Sequence, residues 1–138
     1  MQDISLHILD IIENSITARA FRINVKIAED KKKDILQIFI DDNGKGMDAE
    51  MKHNALDPFW TLKPGKRIGL GLPLLAQASR EGGGKLEIDS EPDKGTKISA
   101  TFRLSHPDRK PLGDIKTTIR MMEKTHPEIL FIYEYVKT

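Results

Sequence analysis

Cysteine is absent from the 138 residues, which excludes a disulfide scaffold, a zinc knuckle, an iron–sulfur centre and a thiol nucleophile. Net charge is nearly absent too: 22 Lys and Arg stand against 21 Asp and Glu, a formal +1. With no polybasic arm, no long-range field draws the chain to nucleic acid or to a membrane. Long apolar runs are missing. The longest, such as Ile35–Ile40, are strand-sized against the ~18 residues of a membrane span. The opening Met-Gln-Asp-Ile-Ser has neither a basic n-region nor an apolar h-region, so no signal peptide is read and a soluble cytoplasmic domain is the expectation. Gly-x-x-x-x-Gly-Lys-Ser/Thr does not occur, which excludes a P-loop.

What remains is an ordinary globular composition, 38% hydrophobic and 31% charged, long enough for one domain with its own core. Ile4, Ile8, Ile11, Ile12 and Ile16 recur at helical spacing and predict a helix over residues 4–20. On that helix His7, Asp10, Asn14 and Thr17 fall within about 80° of one another, on the side away from the apolar stripe. Residues 22–29 alternate as a strand, and Ile35–Ile40 is a second strand running into Asp41-Asp42-Asn43-Gly44-Lys45-Gly46. A short helix over Asp48–Leu56 stops at Asp57-Pro58, and residues 57–69 read as a loop. Leu70–Arg80 is helical and ends at Gly82-Gly83-Gly84. Lys85–Ser90 and Thr96–Leu104 form a hairpin, residues 112–124 a helix, and Ile129–Val136 a last strand. This order predicts an α+β fold: a two-layer α/β sandwich with a mixed, mostly antiparallel sheet and helices packed on one face.

Each motif by itself has a plain structural reading. Asp42-Asn43-Gly44 suits a tight turn, Gly69-Leu70-Gly71-Leu72 a close backbone approach, and Glu13-Asn14 a solvated helix face. Taken in order they say more. Glu13-Asn14-Ser15 is followed by Asp-x-Gly-x-Gly at Asp42–Gly46, then Pro58-Phe59-Trp60-Thr61-Leu62-Lys63, Gly69-Leu70-Gly71-Leu72, and a late Gly95-Thr96. Over residues 4–104 this series resembles the GHKL family of ATPases, the nucleotide-binding fold of sensor histidine kinases, DNA gyrase, mismatch-repair ATPases and anti-sigma-factor kinases. The resemblance implies a Bergerat-type ATP-binding domain over residues 1–105, with residues 106–138 as a helix–strand extension packed on it.

The resemblance also implies roles. Asp42 would receive the exocyclic amine of adenine, a task that suits a group able only to accept. Gly44 and Gly46 would leave room for the base, and Thr96 would back up the Asp42 carboxylate. Asn14 would bind Mg²⁺ between protein and triphosphate, since Mg²⁺ needs few protein ligands when water and phosphate complete its shell. Gly69, Leu70, Gly71 and Leu72 match the second glycine box, where backbone N–H groups and a helix N-terminus hold phosphate. Lys63 and Arg67 are charge partners for the β- and γ-phosphates, and Phe59 resembles the lid aromatic. Trp60 either packs that lid or covers core, and Glu13 is peripheral. Asp10 departs from the pattern: it stands where strong hydrolysers carry Glu and sensor kinases usually carry Asn. One methylene shorter than Glu, Asp10 is the catalytic candidate, expected to position a water or substrate hydroxyl imperfectly and so to turn ATP over slowly.

Pro-Phe-x-Thr-x-Lys followed by Gly-Leu-Gly-Leu looks most like the catalytic domain of sensor histidine kinases. The chain opens directly into the Asn14 helix, and His7, His53, His106 and His126 lack an acidic phosphoacceptor pattern. The expectation is therefore a stand-alone protein kinase or ATPase, histidine- or serine-directed, that uses ATP and Mg²⁺ and passes the γ-phosphate to a partner protein in trans. The alternative is a non-catalytic, ATP-gated binding module like an anti-sigma factor. No nucleic-acid or membrane partner is expected. The tail strand adds to the sheet edge, or else offers a homodimer or partner surface.

Overall fold

A computed structural model of the chain describes residues 3–61 and 69–138. Helix α1 (Ile4–Thr17) leads into strands β1 (Arg22–Asp30) and β2 (Ile35–Asp42). Two short helices, α2 (Ala49–Asn54) and α3 (Pro58–Thr61), precede α4 (Gly71–Glu81). Strands β3 (Leu86–Ser90) and β4 (Thr96–Arg103), helix α5 (Ile115–Thr125) and strand β5 (Leu130–Lys137) complete the order. The five strands form one sheet in the order β3-β4-β2-β1-β5. All neighbours are antiparallel except β1 and β5, which run parallel with Arg22 beside Leu130.

One sheet face is apolar because the strands alternate. Ile23, Val25 and Ile27 on β1, Leu36, Ile38 and Ile40 on β2, and Ile98, Ala100 and Phe102 on β4 are all buried. Against them pack Ile4, Ile8, Ile11 and Ile12 of α1, Leu72 and Leu75 of α4, and Ile115, Ile119 and Met122 of α5. This is the two-layer α/β sandwich, a Bergerat ATP-binding fold, with its helices on the apolar face.

Local chemistry sets the element ends. Helix α1 stops at Thr17, earlier than its periodicity predicts, because Arg19 takes φ +63° and turns the chain toward β1. The free N–H groups of Ile4 and Ser5 at its start donate to the carbonyls of Pro111 and Leu112, so the tail ties down the first helix. Helix α3 lies inside the stretch expected to be loop. Pro58 pre-sets its first turn, and the Asp57 carboxylate accepts the Phe59 N–H. Trp60 joins the hydrophobic core. Asp114 caps α5 by accepting the Thr117 N–H. Among the described residues no helix is long and apolar enough to cross a membrane.

Candidate nucleotide site

The site forms where β2 ends beneath α1. Register places Thr96 of β4 and Ile23 of β1 on either side of Asp42. Asp42 is 8% exposed, and two protein donors hold its carboxylate. Ser15 Oγ–H donates to Oδ2 at 2.6 Å and the Gly44 N–H to Oδ1 at 2.9 Å. A carboxylate has about four lone-pair directions, so both oxygens keep capacity toward the cavity that Asp42 helps to line. That cavity has a volume of about 380 Å³, with apolar walls from Ile11, Met47, Met51, Leu72 and Ile98 and polar groups from Asn14, Ser15, Asp42 and Thr96. Its size and its few convergent polar atoms are those of a small-molecule site.

The segment after Asp42 forms one rim. Lys45 N–H donates to the Ala18 carbonyl, and Met47 N–H donates to Ser90 Oγ at 2.8 Å. Ser90 in turn donates to the Gly95 carbonyl, which leaves the Thr96 hydroxyl to donate to Ser90. Thr96 therefore lines the cavity beside Asp42 but makes no direct hydrogen bond to its carboxylate. Ser15, which the sequence reading left without a role, takes that part.

The protein's own backbone also requires glycine at positions 44 and 46. A Cβ on Gly44 would stand 2.8 Å from the Ala18 carbonyl oxygen, and one on Gly46 would stand 1.9 Å from that of Glu91. With Gly46 at φ +73°, the glycine is required by the protein's own backbone, although Gly46 also borders the cavity.

Asn14 and Asp10 face the N-terminus of α4 rather than open solvent. Asn14 lines the cavity, and its Oδ1 accepts the Gly69 N–H at 3.4 Å. Its Nδ2 is buried without a hydrogen-bond partner among the described residues. Asp10 Oδ2 accepts the Gly71 N–H at 2.6 Å. Leu72 is buried in the cavity wall, whereas Leu70 is half-exposed at the N-cap position. Phe59 is 80% exposed and does not line the cavity. Lys63 and Arg67 lie outside the described residues.

His7 corrects the helical-wheel reading. Expected on the polar side, it is buried, and its Nε2 has no hydrogen-bond partner among the described residues. Burial pushes its pKa below the ordinary value and Lys110 pushes the same way, against the pull of Asp10 and Asp3. The fold thus holds His7 neutral, while the unfolded chain protonates it near pH 6.5. Its stabilising share is complete above that pH and lost as pH falls through the folded value. Urea midpoints measured at pH 8 and pH 5.5 should fall further for the wild type than for His7→Gln. Parallel falls would refute this.

Among the described residues no three His, Cys, Asp or Glu side chains gather around a common point. A cation here would take one oxygen, Asn14 Oδ1, and the rest of its shell from water and phosphate. That donor set fits Mg²⁺, and Asn14 Nδ2, without a partner among the described residues, is a donor that a phosphate oxygen would satisfy.

Residues 2–106 match the family model described as histidine kinase-, DNA gyrase B-, and HSP90-like ATPase. The chain belongs to this ATPase family. It is 31% identical over 104 residues to a probable C4-dicarboxylate sensor kinase of Bacillus subtilis, covering 72% of this chain and 19% of that protein. It is 33% identical over 109 residues to the sensor protein ChvG of Agrobacterium fabrum, with coverages of 72% and 18%. Sporulation kinase C of Bacillus subtilis is 35% identical over 96 residues, with coverages of 70% and 22%. The chain thus spans about a fifth of the length of these curated relatives. The crystal structure of the N-terminal domain of a DNA repair protein shares the fold. It matches with a TM-score of 0.71 at 18% identity, over 99% of this chain and 50% of that one. That overlap takes in α5 and β5 as well as the family-matched residues. As a member of this family the chain is a histidine kinase-like ATP-binding domain.

Proposed function

We propose that the domain binds Mg-ATP in the cavity between α1, β2 and β4 and passes the γ-phosphate to a protein acceptor in trans. The observation that carries this reading is the buried Asp42 carboxylate. It is held in place by Ser15 and Gly44 and has lone pairs left for a donor in an otherwise apolar cavity. Adenine offers such a donor in its exocyclic amine, with flat faces for Ile11, Met47 and Ile98. From there the phosphate chain would run toward Asn14 and the N–H groups at the start of α4, with Lys63 and Arg67 as further charge partners. Asn14 would hold Mg²⁺, which neutralises phosphate charge when bound.

In the transfer, the acceptor's nucleophilic atom forms a bond to the γ-phosphorus while the β–γ bridging P–O bond breaks and its electron pair leaves with ADP. Asp10 would accept the proton that the nucleophile gives up. The kinase names of the relatives support this reaction class. His7 is buried, which favours an acceptor outside this domain.

One observation favours the second reading, an ATP-gated binding module. The Gly71 N–H holds Asp10 Oδ2, which ties the carboxylate to the start of α4 and would make turnover slow. Incubation with γ-labelled ATP and candidate acceptor proteins separates the two. Label on a protein, lost in Asp42→Ala, is expected for the kinase. Nucleotide-dependent binding of a partner without label would overturn transfer and favour the module.

A further inference from the structure

Helix α4 carries no cap of its own. Leu70 stands at the N-cap without a side-chain hydrogen bond, and the first turn has no acidic residue. The N–H groups at its start, which have no partner within the helix, and its positive dipole end are served instead from α1, by side chains distant in sequence. The Gly71 N–H donates to Asp10 Oδ2 at 2.6 Å, a charge-assisted bond, and the Gly69 N–H donates to Asn14 Oδ1 at 3.4 Å. Both glycines are needed for this approach. A Cβ on Gly69 would lie 2.7 Å from Asp10 Oδ1, and one on Gly71 would lie 2.8 Å from Asp10 Cβ. The glycine pair is thus a cradle that already holds an anionic group, and that group belongs to the protein.

We infer that Asp10 is an internal ligand of the phosphate site, so that the phosphate chain of a nucleotide binds by displacing the Asp10 carboxylate from the Gly71 N–H. The inference rests on the nucleotide reading above and adds a competitor to it. Asn14 changes partners in the same exchange. Its resting bond to Gly69 is long, and its Nδ2 has no partner among the described residues, so a phosphate oxygen offers it more than Gly69 does. Displacement also frees the Asp10 carboxylate beside the phosphate chain, where proton transfer needs it, and only once that chain is seated. Asp10 thereby discriminates among ligands: nucleotides with β- and γ-phosphates must compete with it, whereas AMP need not.

Calorimetry on the whole chain tests this with AMP and with the non-hydrolysable β,γ-imido analogue of ATP, using wild type, Asp10→Asn and Asp10→Ala. Loss of negative charge alone would strengthen analogue binding equally in the two variants. Displacement predicts binding about fivefold tighter in Asp10→Ala than in Asp10→Asn, because the Asn oxygen still accepts the Gly71 N–H, with AMP affinity the same in all three. Equal gains, or no gain, would overturn the competitor and leave the nucleotide reading standing. No binding of either nucleotide to wild type would remove both. On the unmodified protein, the Gly71 amide and Asp10 carboxylate resonances should shift together as the analogue is added. A Gly71 shift with Asp10 unmoved would also overturn the inference.

Discussion

Replacing Asp42 with Ala is expected to weaken ATP binding roughly 10- to 100-fold. A hydrogen bond to a charged group contributes about 1.5–3 kcal/mol, and each ~1.4 kcal/mol is a factor of ten in affinity. The carboxylate is already oriented by Ser15 and Gly44, so the base meets a fixed acceptor and spends little of the contact on ordering it. The loss should be the same for ATP and AMP, because the contact is to the base they share. This separates Asp42 from Asp10, whose substitution affects only ligands with a phosphate chain. Asp42→Asn is the companion variant: it preserves side-chain volume but places an N–H₂ donor where an acceptor is wanted, and it too should lose affinity. Calorimetry reads both. Unchanged affinity in a folded Asp42→Ala protein would remove the adenine assignment.

The second large effect is on folding. Gly95 is buried at φ +80°, and a Cβ there would stand 2.0 Å from the backbone oxygen of Asp42. That oxygen is part of the β2 backbone and cannot swing aside as a side-chain tip would. Gly95→Ala combines left-handed backbone strain of about 1–2 kcal/mol with the displacement of a strand. A total of about 3 kcal/mol or more is expected, in the range that marks a named structural conflict. For a domain of this size the melting temperature should fall by about 10 °C or more. Because the displaced atom belongs to Asp42, nucleotide affinity should also fall at temperatures where the variant is still folded. Lys94→Ala, on the exposed side of the same turn, should change neither by more than a fraction of that. A Gly95→Ala protein that melts with the wild type would refute the clash.

The parts of this structure that were legible in the sequence are those whose cause is local. The strands of β1, β2 and β4 follow from alternation with one face buried, and α5 from the spacing of Ile115, Ile119 and Met122. Asp42, Gly44 and Gly46 stand out because a strand-end carboxylate and two glycines fall within five consecutive positions. Ser15, Ser90 and Met47 did not stand out. They reach the site only through contacts such as Ser15 to Asp42 and Met47 to Ser90, 27 and 43 residues apart. His7 was misjudged because a helical wheel assumes one wet side. Helix α1 packs on the sheet with one flank and on α4 and the Pro111–Leu112 loop with others, so His7, Asp10 and Asn14 face protein while Glu13 and Thr17 stay exposed. The same geometry explains Asp10. Its residue type was noticed, but its resting partner is the backbone of a helix 61 residues away, which no local pattern encodes.

The parallel pairing of β1 with β5 sets the order of events as this domain is synthesised. The first strand of the domain receives its outer neighbour from its last, so most of the domain is the loop that must close between them. Until then the free edge of β1 invites pairing with other chains, and α1 lacks the Pro111 and Leu112 carbonyls that satisfy its start. The outer edge of β1 therefore stays open until translation has passed β5, and closing it is a long-range step, slower than forming the helices.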